Sequence, residues 1–388
     1  MRLPPSREVV LNLVLLGVSC GVALGLAEGA MRLWADRILR SGEFIVIGEV
    51  FDADDPLLGY SPIPNATRTI ARGGIAINRE RINSRGLRDV EHAPRKAPGT
   101  KRILVLGDSF MYGDGVDLDE TMPRLLSEQM PGVEVVNAGV RGYDLGQEFL
   151  YYKDRGHAYE PDLVLLAFFV NDLEPDSQME AVDGPDGLPL HYRRTAWSLA
   201  RERERTPRGS SGSISSWLRS RSMLCVLIRD RLDAIRQRRD AAAPSSRGAP
   251  GNPPYVAAFR VRSGDGRIPE GWERAYRILD ALEKEVSSRR ARLVVVTIPA
   301  PWQLTQESWD RWVAWLRADP ALLSRRMPQE MVTAWCERSG TACLDLLAEF
   351  EGGDRSRLYF AHDSHWTPEG HRLAARAVEA FLASSRLP

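Results

Sequence analysis

The chain has 388 residues, with 52 basic and 52 acidic side chains and a formal net charge of zero. A balanced charge gives no long-range field that would attract nucleic acid, so we expect no nucleic-acid partner. Hydrophobic residues make up 43% of the chain, which is enough for a sizeable core. The length accommodates one large domain with additional segments.

The N-terminal residues 1–40 are predicted to form an apolar helix. The run from Val9 to Ala27 has no charged residue and just reaches the length of a membrane-spanning helix. Arg2 and Arg7 precede the run, as in a signal sequence or an uncleaved anchor. Because the helical pattern continues through Trp34 without a looser segment, we favour an anchor with a single N-terminal pass over a cleaved signal. The following domain is then expected in the periplasm or elsewhere outside the cytoplasm.

Residues 41–100 are predicted to form a small extension of short strands and loops, since apolar runs alternate with Pro, Gly and Asn. From Lys101 onward, apolar strands alternate with helices. The strands Ile103–Leu106 and Asp162–Phe169 are almost wholly apolar, as in a parallel sheet that helices cover on both faces. This alternation predicts an α/β domain over residues 101–388 with a doubly wound parallel sheet.

An insertion at about 176–268 interrupts the alternation. Within it, Ser216–Arg239 has apolar residues at helical spacing between flexible Gly/Ser-rich and Pro-rich stretches. This helix either covers the site as a lid or simply packs on the sheet, and the sequence leaves both interpretations open.

Cys336 and Cys343 are close enough in sequence to bridge a small loop. They lack the spacing of metal ligands and no His lies nearby, so we expect neither a metal nor a cofactor there. A disulfide between them is expected if the domain lies outside the cytoplasm, whereas otherwise they are two small core residues.

Ser109 follows the first strand of the domain in the turn Gly107-Asp108-Ser109. Gly107 allows the chain to turn sharply, and the backbone N–H groups of such a turn form an anion-binding site beside the serine hydroxyl. A nucleophile next to an oxyanion site is what acyl transfer requires.

The histidines supply a candidate base for Ser109. Three of the six, His362, His365 and His371, lie within ten residues of one another. On one loop, His365 can act as the base and Asp363 can orient it, as a serine nucleophile requires. A metal site built from these residues is the weaker interpretation, and His371 is expected to cap its helix or pack on it.

Gly139 and Asn171 also follow predicted strands at the carboxyl edge of the sheet, where loops converge on one crevice. The N–H groups of Ser109 and Gly139 and the amide of Asn171 are therefore a candidate oxyanion hole. Taken singly, Gly139 is more often only a turn and Asn171-Asp172 a helix cap. Together with His365, these stretches predict one acyl-transfer site.

The pattern of these blocks resembles the GDSL/SGNH hydrolase superfamily. The similarity extends over roughly residues 100–175 and 290–385, with the blocks in family order. The matching residues are Gly107-Asp108-Ser109, Gly139, Asn171-Asp172, Asp363 and His365. The resemblance implies a flavodoxin-like three-layer α/β/α fold with a parallel sheet.

The same resemblance implies roles for individual residues. It implies a triad of nucleophile, base and orienting carboxylate: Ser109, His365 and Asp363. It implies an oxyanion hole lined by three residues: Ser109, Gly139 and Asn171. Asp108 and Asp172 lie next to these residues and are expected to support the site.

Two positions depart from the family pattern. Phe169 stands where the third block has Gly, and one residue rather than two separates Asp363 from His365. The shorter spacing is similar to that in SGNH-like O-acetyltransferases that act on bacterial exopolysaccharide or peptidoglycan. Hydrolysis by water is therefore open to question, whereas the assignment of the nucleophile is not affected.

Three functions agree with these observations. The leading hypothesis is a membrane-anchored, cofactor-free serine hydrolase that cleaves acyl or acetyl esters of small molecules or carbohydrates at the cell envelope. The second is an O-acyltransferase that passes the acyl group to an envelope polysaccharide, which exclusion of water by the insertion would favour. The third, of another class, is a non-catalytic glycan-binding or assembly protein on the same scaffold.

Overall fold

The computed structural model describes residues 7–33, 44–48, 51–72, 76–175, 178–195, 255–261, 270–360 and 364–385. The chain divides into two compact units. The larger unit comprises Val50–Thr67, Glu80–Pro207 and Arg247–Pro388, and it carries the candidate site.

In the smaller unit, Arg7–Leu33 forms one helix, α1, of 27 residues. Among the residues that the structure describes, none of the helices has the length and apolar character needed to cross a membrane. The membrane span expected within residues 1–40 is therefore not shown. The insertion helix expected at Ser216–Arg239 lies outside the described residues.

Five short strands precede the main sheet. β1, β4 and β5 form one sheet in that order, and β2 pairs with β3 in an antiparallel hairpin. Their bounds are β1 Phe44–Gly48, β2 Asp52–Asp55, β3 Gly59–Pro62, β4 Thr67–Arg72 and β5 Ala76–Arg81.

The larger unit is built on a five-stranded parallel sheet, in which the three inner strands are wholly or almost wholly buried. Its strands are β6 Lys101–Gly107, β7 Val133–Asn137, β8 Leu163–Phe168, β11 Arg292–Thr297 and β12 Ala342–Asp345. The strand order is β12-β11-β8-β6-β7, with every neighbouring pair parallel. A separate antiparallel pair is formed by β9 Met179–Asp183 and β10 Pro189–Arg194. The α/β fold with a parallel sheet that the sequence predicts is confirmed.

Helices connect the strands of the main sheet, and they pack in pairs: α3 against α11, and α4 against α6. The four-residue helices are α2 Ser109–Tyr112, α5 Val256–Phe259, α9 Leu347–Phe350 and α10 Arg355–Leu358. The longer ones are α3 Met122–Gln129, α4 Leu145–Asp154, α6 Glu270–Ser288, α7 Gln306–Leu316, α8 Met327–Ser339 and α11 Pro368–Ser384. Since the strands are parallel, the chain leaves each of them at the same edge, where the site residues lie.

A disulfide between Cys336 and Cys343 joins the last turn of α8 to β12, with Cα atoms 6.3 Å apart. Of the two interpretations that the sequence leaves open for these cysteines, the structure therefore has the disulfide.

His92 lies between two carboxylates. Its Nε2 is 2.9 Å from Asp89 Oδ2, and its Nδ1 is 2.8 Å from Glu134 Oε1. Asp89 Oδ2 also accepts the N–H of Asn137 at 2.7 Å, which ties this pair to the carboxyl end of β7. Burial by itself lowers the pKa of His92, but the hydrogen bonds and negative charges of Asp89 and Glu134 outweigh it, so the pKa is raised.

We expect His92 to make folding depend on pH. The pKa of His92 is raised in the folded state, so protonated His92 stabilises the fold. This stabilisation is complete at a pH below the pKa of His92 in the unfolded chain, about 6.5, and is lost as the pH rises through its pKa in the folded chain. His92→Gln should lower the free energy of unfolding by about 1–2 kcal/mol at pH 6 and by much less at pH 9. Urea unfolding of the variant and the unchanged protein at both pH values measures this difference in free energy.

The matched control is His191→Gln, because the His191 side chain makes no hydrogen bond to another described residue. An equal loss of stability at pH 6 and pH 9 in His92→Gln would contradict the prediction.

Candidate active site

Ser109 stands at the turn from β6 into α2. Gly107 allows this turn to pack closely, because a Cβ atom there would lie 2.5 Å from Met111 Cγ and 3.3 Å from Ala167 Cβ. Asp108 caps α2, and its Oδ1 accepts the N–H of Phe110 at 2.9 Å. The Ser109 side chain is therefore held at the carboxyl edge of the sheet.

Ser109 and His365 come together although 256 residues separate them. Ser109 Oγ is 2.7 Å from His365 Nε2, within hydrogen-bond distance. The His365 carbonyl accepts the N–H of Phe360 at 3.0 Å, which fixes its loop, and the rings of His365 and Phe110 are 5.3 Å apart. The His365 side chain is 21% exposed, so a substrate can reach it.

Asp363 and His362 lie outside the described residues, so the orienting carboxylate expected for His365 is not placed. A carboxylate that the sequence did not single out lies near the histidine instead: Asp114 Oδ2 is 3.9 Å from His365 Nε2. Asp114 Oδ1 forms an ion pair with Arg141. Its only sequence signal is its position five residues after Ser109.

Asn171 is held beside Ser109 by Asp108. It lies in the single 3₁₀ turn Val170–Leu173 after β8, and its Nδ2 donates to Asp108 Oδ2 at 2.8 Å. Burial raises the pKa of Asp108, although the hydrogen bonds from Phe110 and Asn171 oppose this rise. An amide carries two hydrogens, so Asn171 has one left for an oxyanion.

Gly139 does not offer the free N–H that the sequence led us to expect. Its N–H donates to Asn137 Oδ1 at 3.0 Å. Gly at this position serves packing, because a Cβ atom would lie 2.6 Å from Met111 Cβ and 2.7 Å from Tyr112 N. The loop therefore lies directly against α2, and Asn137 Nδ2 secures the contact by donating to the Met111 carbonyl at 2.8 Å.

Gly142, three residues further on, is a candidate donor that the sequence interpretation did not single out. It has a φ of +74°, which favours glycine, and its N–H donates to no other residue in the described part of the chain. The spacing Gly139-x-x-Gly142 after a strand is the signal that marks it.

Two buried carboxyls lie behind the site. Asp172 Oδ2 accepts the N–H of Phe169 at 2.8 Å and so supports the turn that carries Asn171. Glu148 on α4 is fully buried, and its carboxyl oxygens have no hydrogen-bond partner among the described residues. Burial, reinforced by the charges of Asp172 and Asp108, raises the pKa of Glu148 well above its usual range, and burial also raises the pKa of Asp172.

His371 is placed in the core. Its Nδ1 accepts the N–H of Met122 at 3.1 Å, and burial lowers its pKa to about 3, so it is neutral. Among the described residues, no group of three or more His, Cys, Asp or Glu side chains is arranged to hold a metal ion.

A cavity of about 700 Å³ lies elsewhere in the larger unit and includes none of the candidate site residues. Arg85, Tyr151, Arg155 and Tyr159 are among the residues that line it. The candidate site is therefore separate from this cavity.

A serine hydroxyl in contact with a histidine, beside unused N–H donors at the carboxyl edge of a parallel sheet, is an arrangement suited to acyl transfer. A model of the GDSL-like lipase/acylhydrolase family matches residues 105–373. The chain belongs to this family, which confirms the resemblance inferred from the sequence, and it is a hydrolase of ester bonds.

Several solved structures are similar to this chain at low identity. The psychrotrophic esterase EstA from Pseudoalteromonas sp. is 14% identical, with 74% of this chain and 98% of that chain covered and a TM-score of 0.37. A GDSL-like lipase from Bacteroides thetaiotaomicron is 9% identical, with 75% of this chain and 91% of that chain covered and a TM-score of 0.35. No match was found among curated proteins.

We expect Asp108 to act on catalysis through Asn171. Asp108→Ala removes the acceptor that holds the Asn171 amide, so kcat/KM for an ester should fall by about 10²–10³-fold. The kcat/KM of Asn171→Ala should also fall, and that of the double variant should be no lower than that of Asp108→Ala alone. Steady-state kinetics of the three variants measures this.

Asp319→Ala is the matched control, because Asp319 caps the 3₁₀ helix Pro320–Leu322 by accepting the N–H of Ala321 and is not a site residue. If the losses of the two single variants add in the double variant, Asp108 does not act through Asn171.

Proposed function

We propose that this enzyme cleaves carboxylic esters through a covalent acyl-Ser109 intermediate, with His365 as general base and then general acid. The observation that carries the proposal is the 2.7 Å contact between Ser109 Oγ and His365 Nε2. Asp363 is proposed as the carboxylate that orients His365.

In the proposed first step, Ser109 Oγ attacks the ester carbonyl carbon while its proton passes to His365 Nε2. The bond to the leaving alcohol then breaks, and the alcohol oxygen takes that proton. Water attacks the acyl-enzyme in the same way, which releases the acid and restores the serine hydroxyl. The oxyanion of each tetrahedral intermediate is proposed to accept hydrogen bonds from the N–H groups of Ser109 and Gly142 and from the Asn171 amide.

Transfer of the acyl group to a carbohydrate hydroxyl is the second candidate. The one-residue spacing between Asp363 and His365 favours it, and so does a row of aromatic rings that begins at His365. Phe110 lies against His365, Phe169 lies 4.7 Å from Phe110, and Tyr255 lies 6.1 Å from Phe169. Phe110 and Phe169 are buried, whereas Tyr255 at the end of the row is 36% exposed and offers an aromatic face to a sugar ring.

The non-catalytic glycan-binding alternative is the least supported of the three. The family is one of hydrolases, and Ser109 and His365 are in contact as a nucleophile and its base require.

Labelling with a fluorophosphonate tests the proposed chemistry. We expect the probe to modify Ser109, as located by peptide mass spectrometry, and His365→Ala to abolish labelling. Ser109→Ala should lower esterase kcat/KM at least about 10³-fold. Ser287→Ala, which changes an exposed serine at the end of α6, is the matched control.

Labelling at another serine, or full esterase activity in Ser109→Ala, would overturn the proposed function. Adding an oligosaccharide acceptor to the same assay separates the two candidates, because an acyltransferase forms more acylated sugar than free acid.

We further propose that the domain works outside the cytoplasm at the cell envelope and that the N-terminal segment attaches it to a membrane. The Cys336–Cys343 disulfide supports this location, since disulfides persist in oxidising compartments. On α1, large apolar side chains stay exposed, and Leu26 at 70% is the extreme case.

Cell fractionation tests the location. The full-length chain should sediment with membranes, and a chain in which a cleavable secretion signal replaces residues 1–40 should be released in soluble form. Recovery of the full-length chain in the soluble fraction, or of Cys336 and Cys343 as free thiols in cells, would contradict the proposal.

A further inference from the structure

Asp114 is brought beside Ser109 by the way α2 ends. Gly113 ends the helix with a φ of +81°, and a Cβ atom there would clash with the Thr121 side chain. The chain turns back at this point, and the Asp114 N–H donates to the Ser109 carbonyl at 3.0 Å. The position of Asp114 is therefore fixed by the same helix that presents Ser109.

The Asp114 carboxylate is buried, with 6% of its side chain exposed. Its Oδ1 pairs with Arg141, whose guanidinium lies 4.4 Å from the ring centre of Tyr112. Arg141 also pairs with Glu80 at 2.7 Å, and Glu80 accepts the hydroxyl of Tyr112 at 2.8 Å. Two carboxylates, those of Asp114 and Glu80, thus share the guanidinium of Arg141.

Asp114 Oδ2 lies 3.9 Å from His365 Nε2, the nitrogen that faces Ser109 Oγ. A serine-histidine pair has its orienting carboxylate at the other ring nitrogen, so Asp114 is not a substitute for that group. A negative charge at this distance favours the protonated form of an imidazole, and more strongly where water is excluded.

Other ionisable groups also face His365. Asp108 is buried beneath Ser109 and interacts with His365 electrostatically. His371 lies on α11 and is neutral, because burial lowers its pKa to about 3. Asp363 is outside the described residues.

We propose that Asp114 is a positioning residue that acts through His365, stabilising the imidazolium that forms when Ser109 attacks and holding its Nε2–H near the serine oxygen. This proposal rests on the proposed function. In each half of the reaction, the proton moves from the attacking oxygen to Nε2 and then to the departing oxygen. Asp114 exchanges no proton and keeps its ion pair with Arg141 throughout.

Asp114→Asn tests the proposal, with Glu80→Gln as the matched control. Both variants remove one negative charge from Arg141, but the carboxylate that lies 3.9 Å from His365 Nε2 is that of Asp114. We expect the pKa of His365, followed by NMR of ¹³C-labelled histidine and assigned with His365→Gln, to fall by about 1 unit in Asp114→Asn. In Glu80→Gln it should fall by less than a quarter of that.

The pH dependence of fluorophosphonate labelling gives the second measurement. In Asp114→Asn, the acid limb should move down by about 1 unit and the plateau rate should fall about 3–10-fold, because the base is weaker. A purely structural ion pair predicts equal losses in the two variants with no movement of the limb, and that result would overturn the proposal. An unchanged pKa of His365 by NMR would overturn it as well.

The two measurements distinguish failure of this proposal from failure of the proposed function. If the NMR titration shows the expected shift but no variant is labelled at Ser109, Asp114 acts on His365 as proposed and the acyl-enzyme chemistry is wrong.

Discussion

The buried carboxylate of Asp108 is the group on which the geometry of the site depends. It accepts the N–H of Phe110 and the amide of Asn171, so the turn after β6 and the turn after β8 share one acceptor. Its contact with Ser109 Oγ is 3.4 Å, too long to compete with the 2.7 Å contact to His365. The serine hydroxyl therefore points to its base, while the carboxylate fixes the amide beside it.

Topology explains what could be predicted from the sequence. Parallel strands end at one edge, so apolar runs followed by Ser109 and Asn171 were enough to bring both residues to one place. His365 was predicted to lie near Ser109 for the same reason, although 256 residues separate the two in the sequence. The family match over residues 105–373 agrees with this prediction.

The site features that were not predicted have a different origin, because they depend on side-chain contacts that the spacing of residues in the sequence does not encode. Gly139 follows its strand as expected, but the Asn137 side chain takes its N–H, and packing against Met111 explains why the residue is Gly. Asp114 reaches His365 only because α2 stops after four residues. Glu148 looks like an ordinary polar residue of an amphipathic helix, yet the structure buries it beside Asp172.

The disulfide at the end of α8 also affects the edge of the main sheet. β12 is the outermost strand on its side, and all four of its residues are only partly buried. An outermost strand of this kind is free to peel away or to pair with a strand of another molecule. The covalent bond from Cys343 to Cys336 restrains β12 on its neighbouring helix, so the sheet is protected against aggregation at the border where its own packing is weakest.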